Sequence, residues 1–168
     1  GVFLGLLSAL YKDRWVDKLV LVISTLGMSL PSFFSAIIFA WLFGFLWHEI
    51  TGLDMTGNLY ELDDFGELKT LHLQNLILPA VVLGIRPLAV VSQLMRNSLL
   101  EVFNQEYIKT AKAKGLNTKQ VLLKHALKNA LSPVITAISG WFASLLAGAV
   151  FVEYVFGWNG LGKEIVNA

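Results

Sequence analysis

A chain of 168 residues with 55% hydrophobic and only 15% charged side chains is too apolar for an ordinary water-soluble domain and fits an integral membrane protein. Thirteen Lys and Arg against twelve Asp and Glu leave a net charge of +1, so the side on which each charge lies is more informative than the total. The absence of cysteine excludes a disulfide framework and any Cys-ligated metal site.

The opening run, Gly1 to Leu10, is too short to span a bilayer and reads as the tail of a truncated span. No basic stretch precedes it, which argues against a signal peptide. Ala168 likewise falls within an apolar pattern, so the chain is expected to be an internal piece of a longer protein, truncated at both ends. Three later runs are long enough to cross a hydrocarbon core, which takes about 20 apolar residues. They are 19–47, 76–94 and 130–152. Pro31, Pro79, Pro87 and Pro133 fall in or near them, and kinks are expected there, since membrane helices tolerate proline when neighbouring groups satisfy the freed carbonyls.

Tyr11–Lys18 carries Lys12, Arg14 and Lys18. The loop from His48 to Thr70 carries Lys69 against Glu49, Asp54, Glu61, Asp63, Asp64 and Glu67. Met95–Asn129 carries Arg96, Lys109, Lys112, Lys114, Lys119, Lys124 and Lys128. Basic loops stay in the cytoplasm, so the first and third are expected inside, and the acidic loop and everything after Val152 outside. The tryptophans mostly fall near the expected span ends, as an aromatic belt requires.

Arg86 lies well inside the 76–94 run. An arginine at membrane depth costs about 2.5–3.5 kcal/mol on insertion scales and usually faces a cavity or a partner. The competing reading is snorkelling toward headgroups along a tilted helix.

The segment 95–129 reads as a helical hairpin. Residues from about Leu99 to Lys114 favour helix, Lys112 and Lys114 oppose the negative end of its dipole, and Gly115 suits a left-handed C-cap. Asn117 offers an N-cap, with Gln120 at capping-box spacing, for a second helix from Thr118 to about Asn129. Ser132 and Pro133 then lead into the membrane. Three uses compete for such a basic hairpin: lying on anionic headgroups, contacting nucleic acid, or docking on a soluble partner. No aromatic residues interleave with the lysines, which argues against nucleic acid.

Gly157 to Lys163 fits the spacing G-x-x-x-x-G-K of a phosphate-binding loop, but Glu164 replaces the Ser or Thr that would hold Mg²⁺. A turn feeding an amphipathic segment is the reading preferred here. His48, His72 and His125 share no metal-ligand spacing, and no metal site is expected.

TAKAKGLNTKQVLLKHALKNALSPVIT, from Thr110 to Thr136, resembles the cytoplasmic signature of permease subunits in binding-protein-dependent ABC importers, most closely the dipeptide, oligopeptide and nickel branch. The likeness extends back through LMRNSLLEVFNQEYIKTA and ILPAVVLG, and forward to GAVFVEYVFGWNGLG. Lys109, Thr110 and Ala111 stand where the general signature has Glu-Ala-Ala, and Gly115 is its glycine. The glutamate is absent, and a basic residue there, with His125 to Ala130 after it, matches the branch. Asn159 stands where the branch commonly shows proline.

The resemblance implies an all-α integral membrane protein, a polytopic helical bundle of which this chain holds three complete spans out of roughly six. It implies a localisation in the bacterial inner membrane, with no catalysis by the chain itself. It implies cytoplasmic ABC ATPase subunits, a second permease subunit, in this branch usually a different chain, and an extracytoplasmic substrate-binding protein as partners, with peptides or nickel as cargo. No cofactor is expected on the chain, ATP acting through the partners. The ATPase-coupling residues it marks are Glu106, Tyr107, Lys109, Thr110, Ala111 and Gly115, with Arg86 as a substrate-path candidate. An intramembrane hydrolase would need a membrane-embedded base beside a nucleophile, and the spans offer serines without His or Asp. An ion-driven secondary transporter predicts acidic groups at membrane depth, whereas the acids here cluster in the loop.

Overall fold

The computed structural model describes residues 1–62 and 69–167; Asp63, Asp64 and Glu67 of the acidic loop lie outside the described residues. The order of elements is α1 (Val2–Leu10), α2 (Trp15–Ser29), α3 (Ser32–Phe39), a π-helical stretch (Ala40–Leu46) and α4 (His48–Thr51). Then come strands β1 (Tyr60–Leu62) and β2 (Lys69–Leu71), α5 (Gln74–Phe103), α6 (Glu106–Ala113), α7 (Thr118–Val121), a π-helical turn (Leu122–Ala126), α8 (Leu127–Phe156) and α9 (Leu161–Asn167). The helical expectation stands, with one addition: β1 and β2 pair antiparallel, Tyr60 opposite Leu71, within the acidic loop.

Among the described residues, α5 alone is by length and composition able to cross a membrane as a single helix. Trp15–Ser29 with Ser32–Leu46, and Thr118–Trp141 with Ser144–Phe156, qualify only if each broken pair counts as one span. Of the four prolines, only Pro31 coincides with a helix break. Its extended ψ of 145° separates α2 from α3. The helix continues through Pro79, Pro87 and Pro133.

The chain divides into two compact units. The first comprises residues 1–28 and 87–141. Its core gathers Met95 and Leu99 of α5, Ile108 of α6, Val121 of α7, and Ala126, Ala130 and Val134 beyond it, all fully buried. Gly5 lets α1 lie on α5: a Cβ there would come within 2.4 Å of the Ser92 carbonyl oxygen. Ser98 Oγ, also on α5, donates to the Ala130 carbonyl at 2.9 Å.

Asp17 is 1% exposed in this unit and accepts from both ends of the Arg96 guanidinium, Nε at 2.6 Å and Nη2 at 2.7 Å. Ser8 Oγ and the backbone N–H of Asp13 donate to the same carboxylate. Four donors on one buried anion satisfy it fully, which makes the pair tolerable away from water. Arg96 is therefore not a loose cytoplasmic charge but the partner that holds α2 to α5.

The second unit comprises residues 29–86 and 142–168. Ala36 and Ala40, Leu78 and Val82, and Val152 and Phe156 form its core. Phe33 and Phe151 add a tilted ring contact at 6.5 Å between centroids.

Candidate functional site

The basic segment is three pieces, where the sequence predicts two helices. The expected helix from Leu99 to Lys114 is interrupted: the N–H groups of Asn104 and Gln105 bond back three residues to Glu101 and Val102, closing α5 in a tight turn. Gln105 is extended, with ψ at 147°, and its carbonyl accepts from Ile108 and Lys109 to start α6. Asn104, a poor helix former that favours turns, marks the spot.

Within α6 the sequence sorts residues by face. Ile108 is fully buried and Ala111 is 6% exposed, so both turn into the core of their own unit. Glu106, Tyr107, Lys109 and Thr110 face outward. Lys109 Nζ pairs with Glu106 Oε1 at 2.7 Å across one turn, on the surface, where such a pair contributes about 0.5 kcal/mol or less. Thr110 Oγ donates to the Glu106 carbonyl. Tyr107 is 41% exposed, and its hydroxyl accepts from Asn129 Nδ2 at 2.7 Å, tying α6 to α8. Tyr107, Thr110, Ala111, Leu116 and His125 line a shallow cleft of about 420 Å³.

The helix stops as the sequence predicts. Gly115 has φ of +83°, its N–H donates to Lys112, and the N–H of Leu116 donates to Ala111. Those two bonds make a Schellman motif, which satisfies carbonyls that a helix end leaves bare. A Cβ at Gly115 would meet nothing within 4 Å, so the glycine is needed for its backbone hand, not for room. Two residues on, Asn117 Oδ1 accepts from the Gln120 N–H and Gln120 Oε1 accepts from the Asn117 N–H, a complete capping box. The second helix then departs from expectation. After one α turn it widens into the π-helical turn and runs on as α8 through Ser132 and Pro133 without ending near Asn129.

Arg86 stands exposed in α5, on the part of that helix that belongs to the second unit. Sequence reading missed the Asp17–Arg96 pair, whose members are 79 residues apart. The phosphate-loop spacing at Gly157–Lys163 has a different explanation. Gly157, with φ of +65°, ends α8 by the same device as Gly115: the N–H groups of Gly157 and Trp158 donate to Tyr154 and Glu153. The Glu153 carboxyl then reaches forward and accepts from the Lys163 N–H at 2.7 Å. A Cβ on Gly160 would lie 2.3 Å from Glu153 Oε1, and one on Gly162 would lie 2.8 Å from the Val150 backbone nitrogen. The glycines clear space for a carboxyl and a backbone of the chain itself, which accounts for their spacing without a phosphate.

Known proteins resemble the chain over its whole length. It is 37% identical to a di/tripeptide transport system permease protein of Pseudomonas aeruginosa, covering all of this chain and 54% of that protein. It is 38% identical to a dipeptide transport system permease protein of Alkalihalophilus pseudofirmus and 34% identical to one of Escherichia coli K12, again covering all of this chain and 54% of each. The chain thus spans about half the length of these relatives. The pattern of the family described as binding-protein-dependent transport system inner membrane component matches residues 1–168, and the chain belongs to that family, as a multi-pass protein of the inner membrane.

Proposed function

We propose that the chain is the permease part of an ATP-driven importer of peptides, forming a section of the substrate path and coupling it to cytoplasmic ATPases. A second permease subunit and an extracytoplasmic substrate-binding protein complete the assembly in this reading. The chain itself catalyses nothing and binds no cofactor; ATP acts through the partner subunits. The likeness to proteins named as peptide permeases supports the cargo class. An ion-driven transporter gains no support from those relatives.

The observation that carries the coupling role is the construction of α6. It is a short rod with a fixed stop, and its inner face, Ile108 and Ala111, is embedded in the same core as Met95 and Leu99 of α5. A push on its outer face reaches α5 through close-packed side chains, which transmit displacement because they cannot compress. Glu106, Tyr107, Lys109 and Thr110 are the residues that would touch the ATPase. Ala111 has a different part from the one its place in the signature suggests: its small side chain seats the rod on the permease, with only the cleft edge open to a partner.

Cysteine cross-linking in the full assembly separates these roles. Thr110→Cys is expected to cross-link to an ATPase subunit and Ala111→Cys to do so weakly; equal cross-linking would return Ala111 to the contact face. Gly115→Val is expected to insert normally yet abolish peptide uptake, because the rod's stop is lost. Uptake at the normal rate in that variant refutes the coupling role. Gentle extraction that recovers no ATPase would favour the ion-driven alternative.

A further inference from the structure

A second cleft, of about 320 Å³, lies on the first unit. Its floor is apolar, with Leu100 and Phe103 from the end of α5 and Val121 from α7, and its rim carries Lys12, Lys112 and Thr118. No carboxylate is among its described lining residues. Lys112 Nζ stands 6.0 Å from the centroid of the Phe103 ring, a cation held over an aromatic face at the edge of the apolar floor. Thr118 adds a hydroxyl donor beside it. The cleft therefore offers two full positive charges and a donor directly above a hydrocarbon surface.

Its depth follows from α5. Thirty residues at about 1.5 Å each give roughly 45 Å, close to the thickness of a bilayer with its headgroups. A helix of that length places Leu100 and Phe103 at headgroup level, where a phosphate and the first methylenes of an acyl chain meet. Basic pockets at the cytoplasmic ends of membrane helices suit anionic headgroups, each Lys or Arg there strengthening binding about fivefold.

We propose that this cleft is a binding site for an anionic phospholipid of the cytoplasmic leaflet, with its phosphate between Lys12 and Lys112 and its acyl chain on Leu100 and Phe103. The proposal takes from the functional reading only that Tyr11–Lys18 and 95–129 lie on the cytoplasmic side. An apolar floor distinguishes the site from one for a free anion, and two lysines with no carboxylate among the described lining residues distinguish it from a groove for a neutral lipid. Because Lys112 belongs to α6 and Leu100 to α5, a bound lipid would join the rod to the membrane helix that carries it.

Native mass spectrometry of the full-length protein, extracted gently with its partner subunits and offered equal phosphatidylglycerol and phosphatidylcholine, tests the site. Phosphatidylglycerol is expected to be retained over phosphatidylcholine, and Lys12→Gln with Lys112→Gln to lower that retention roughly thirtyfold. Lys12→Arg with Lys112→Arg is expected to keep it. Equal retention of the two lipids by the unaltered protein overturns the proposal, as does undiminished retention in the Gln pair. Competition on the unaltered protein needs no variant to fold: displacement by millimolar inorganic phosphate would show an anion site and overturn the lipid assignment, whereas displacement only by anionic lipid supports it. Lipid retention is read without transport, so a protein that holds phosphatidylglycerol but recruits no ATPase fails the functional reading and leaves this one intact.

Discussion

Two helices of the chain stop in the same way and restart differently. α6 ends at Gly115 and α8 at Gly157, each with a positive φ and the paired backward bonds of a Schellman motif. After Gly115 the next helix is capped locally by Asn117 and Gln120, within four residues of its start. After Gly157 the next helix borrows its cap from behind, the carboxyl of Glu153 in α8, and two glycines must make way for that return. A stop depends on backbone hand alone. A restart depends on where an acceptor can be found, and its tolerance to substitution follows from that source.

Gly162→Ala breaks the comparison hardest. Its Cβ would press on the Val150 backbone at 2.8–2.9 Å, which cannot rotate aside. A loss of about 3 kcal/mol is expected, read as a lowered unfolding midpoint in detergent. Gly115→Ala and Gly157→Ala test the shared stop. Each is expected to cost about 1–2 kcal/mol, the left-handed penalty, with Asn at either position costing less; a cost that grew with side-chain volume at Gly115 would show that room matters after all. Gly160→Ala is expected to cost about 1 kcal/mol, because the atom in its way is the end of the flexible Glu153 side chain, which can swing off at the expense of its bond to Lys163. In a Glu153→Ala background that cost should vanish, while the cost of Gly162→Ala should persist. Additive effects of Gly160→Ala and Glu153→Ala in such a cycle would sink the borrowed-cap account.

What was legible beforehand follows the range of the forces involved. Gly115 and the Asn117–Gln120 box act within six residues, so spacing alone reveals them. The family signature was legible for the same reason, being a contiguous string. The break at Gln105 was not, because a stretch from Leu99 to Lys114 has helix-forming residues throughout and one Asn is a weak signal against them. Ala111 reads as a small residue on a surface helix until the core reveals that it points inward. Asp17 and Arg96 read as two loop charges; only the approach of α2 to α5 makes them a pair. Gly160 and Gly162 gave a clear signal with the wrong referent, since a loop that must pass close to any carboxyl or backbone needs glycine as much as one that wraps a phosphate. For Arg86 both expectations, path and snorkel, concern surroundings beyond this chain.

The widened turn at Leu122–Ala126 gives the rod's attachment a property of its own. A π turn carries more residues per revolution than its neighbours, so it is a coil of slack in an otherwise taut winding. Tightening it to α pitch would swivel the helix on one side relative to the other, and Asn129 would slide past the Tyr107 hydroxyl it now holds. The winding of that one turn thus sets the angular register between Thr118–Val121 and the long helix that follows it.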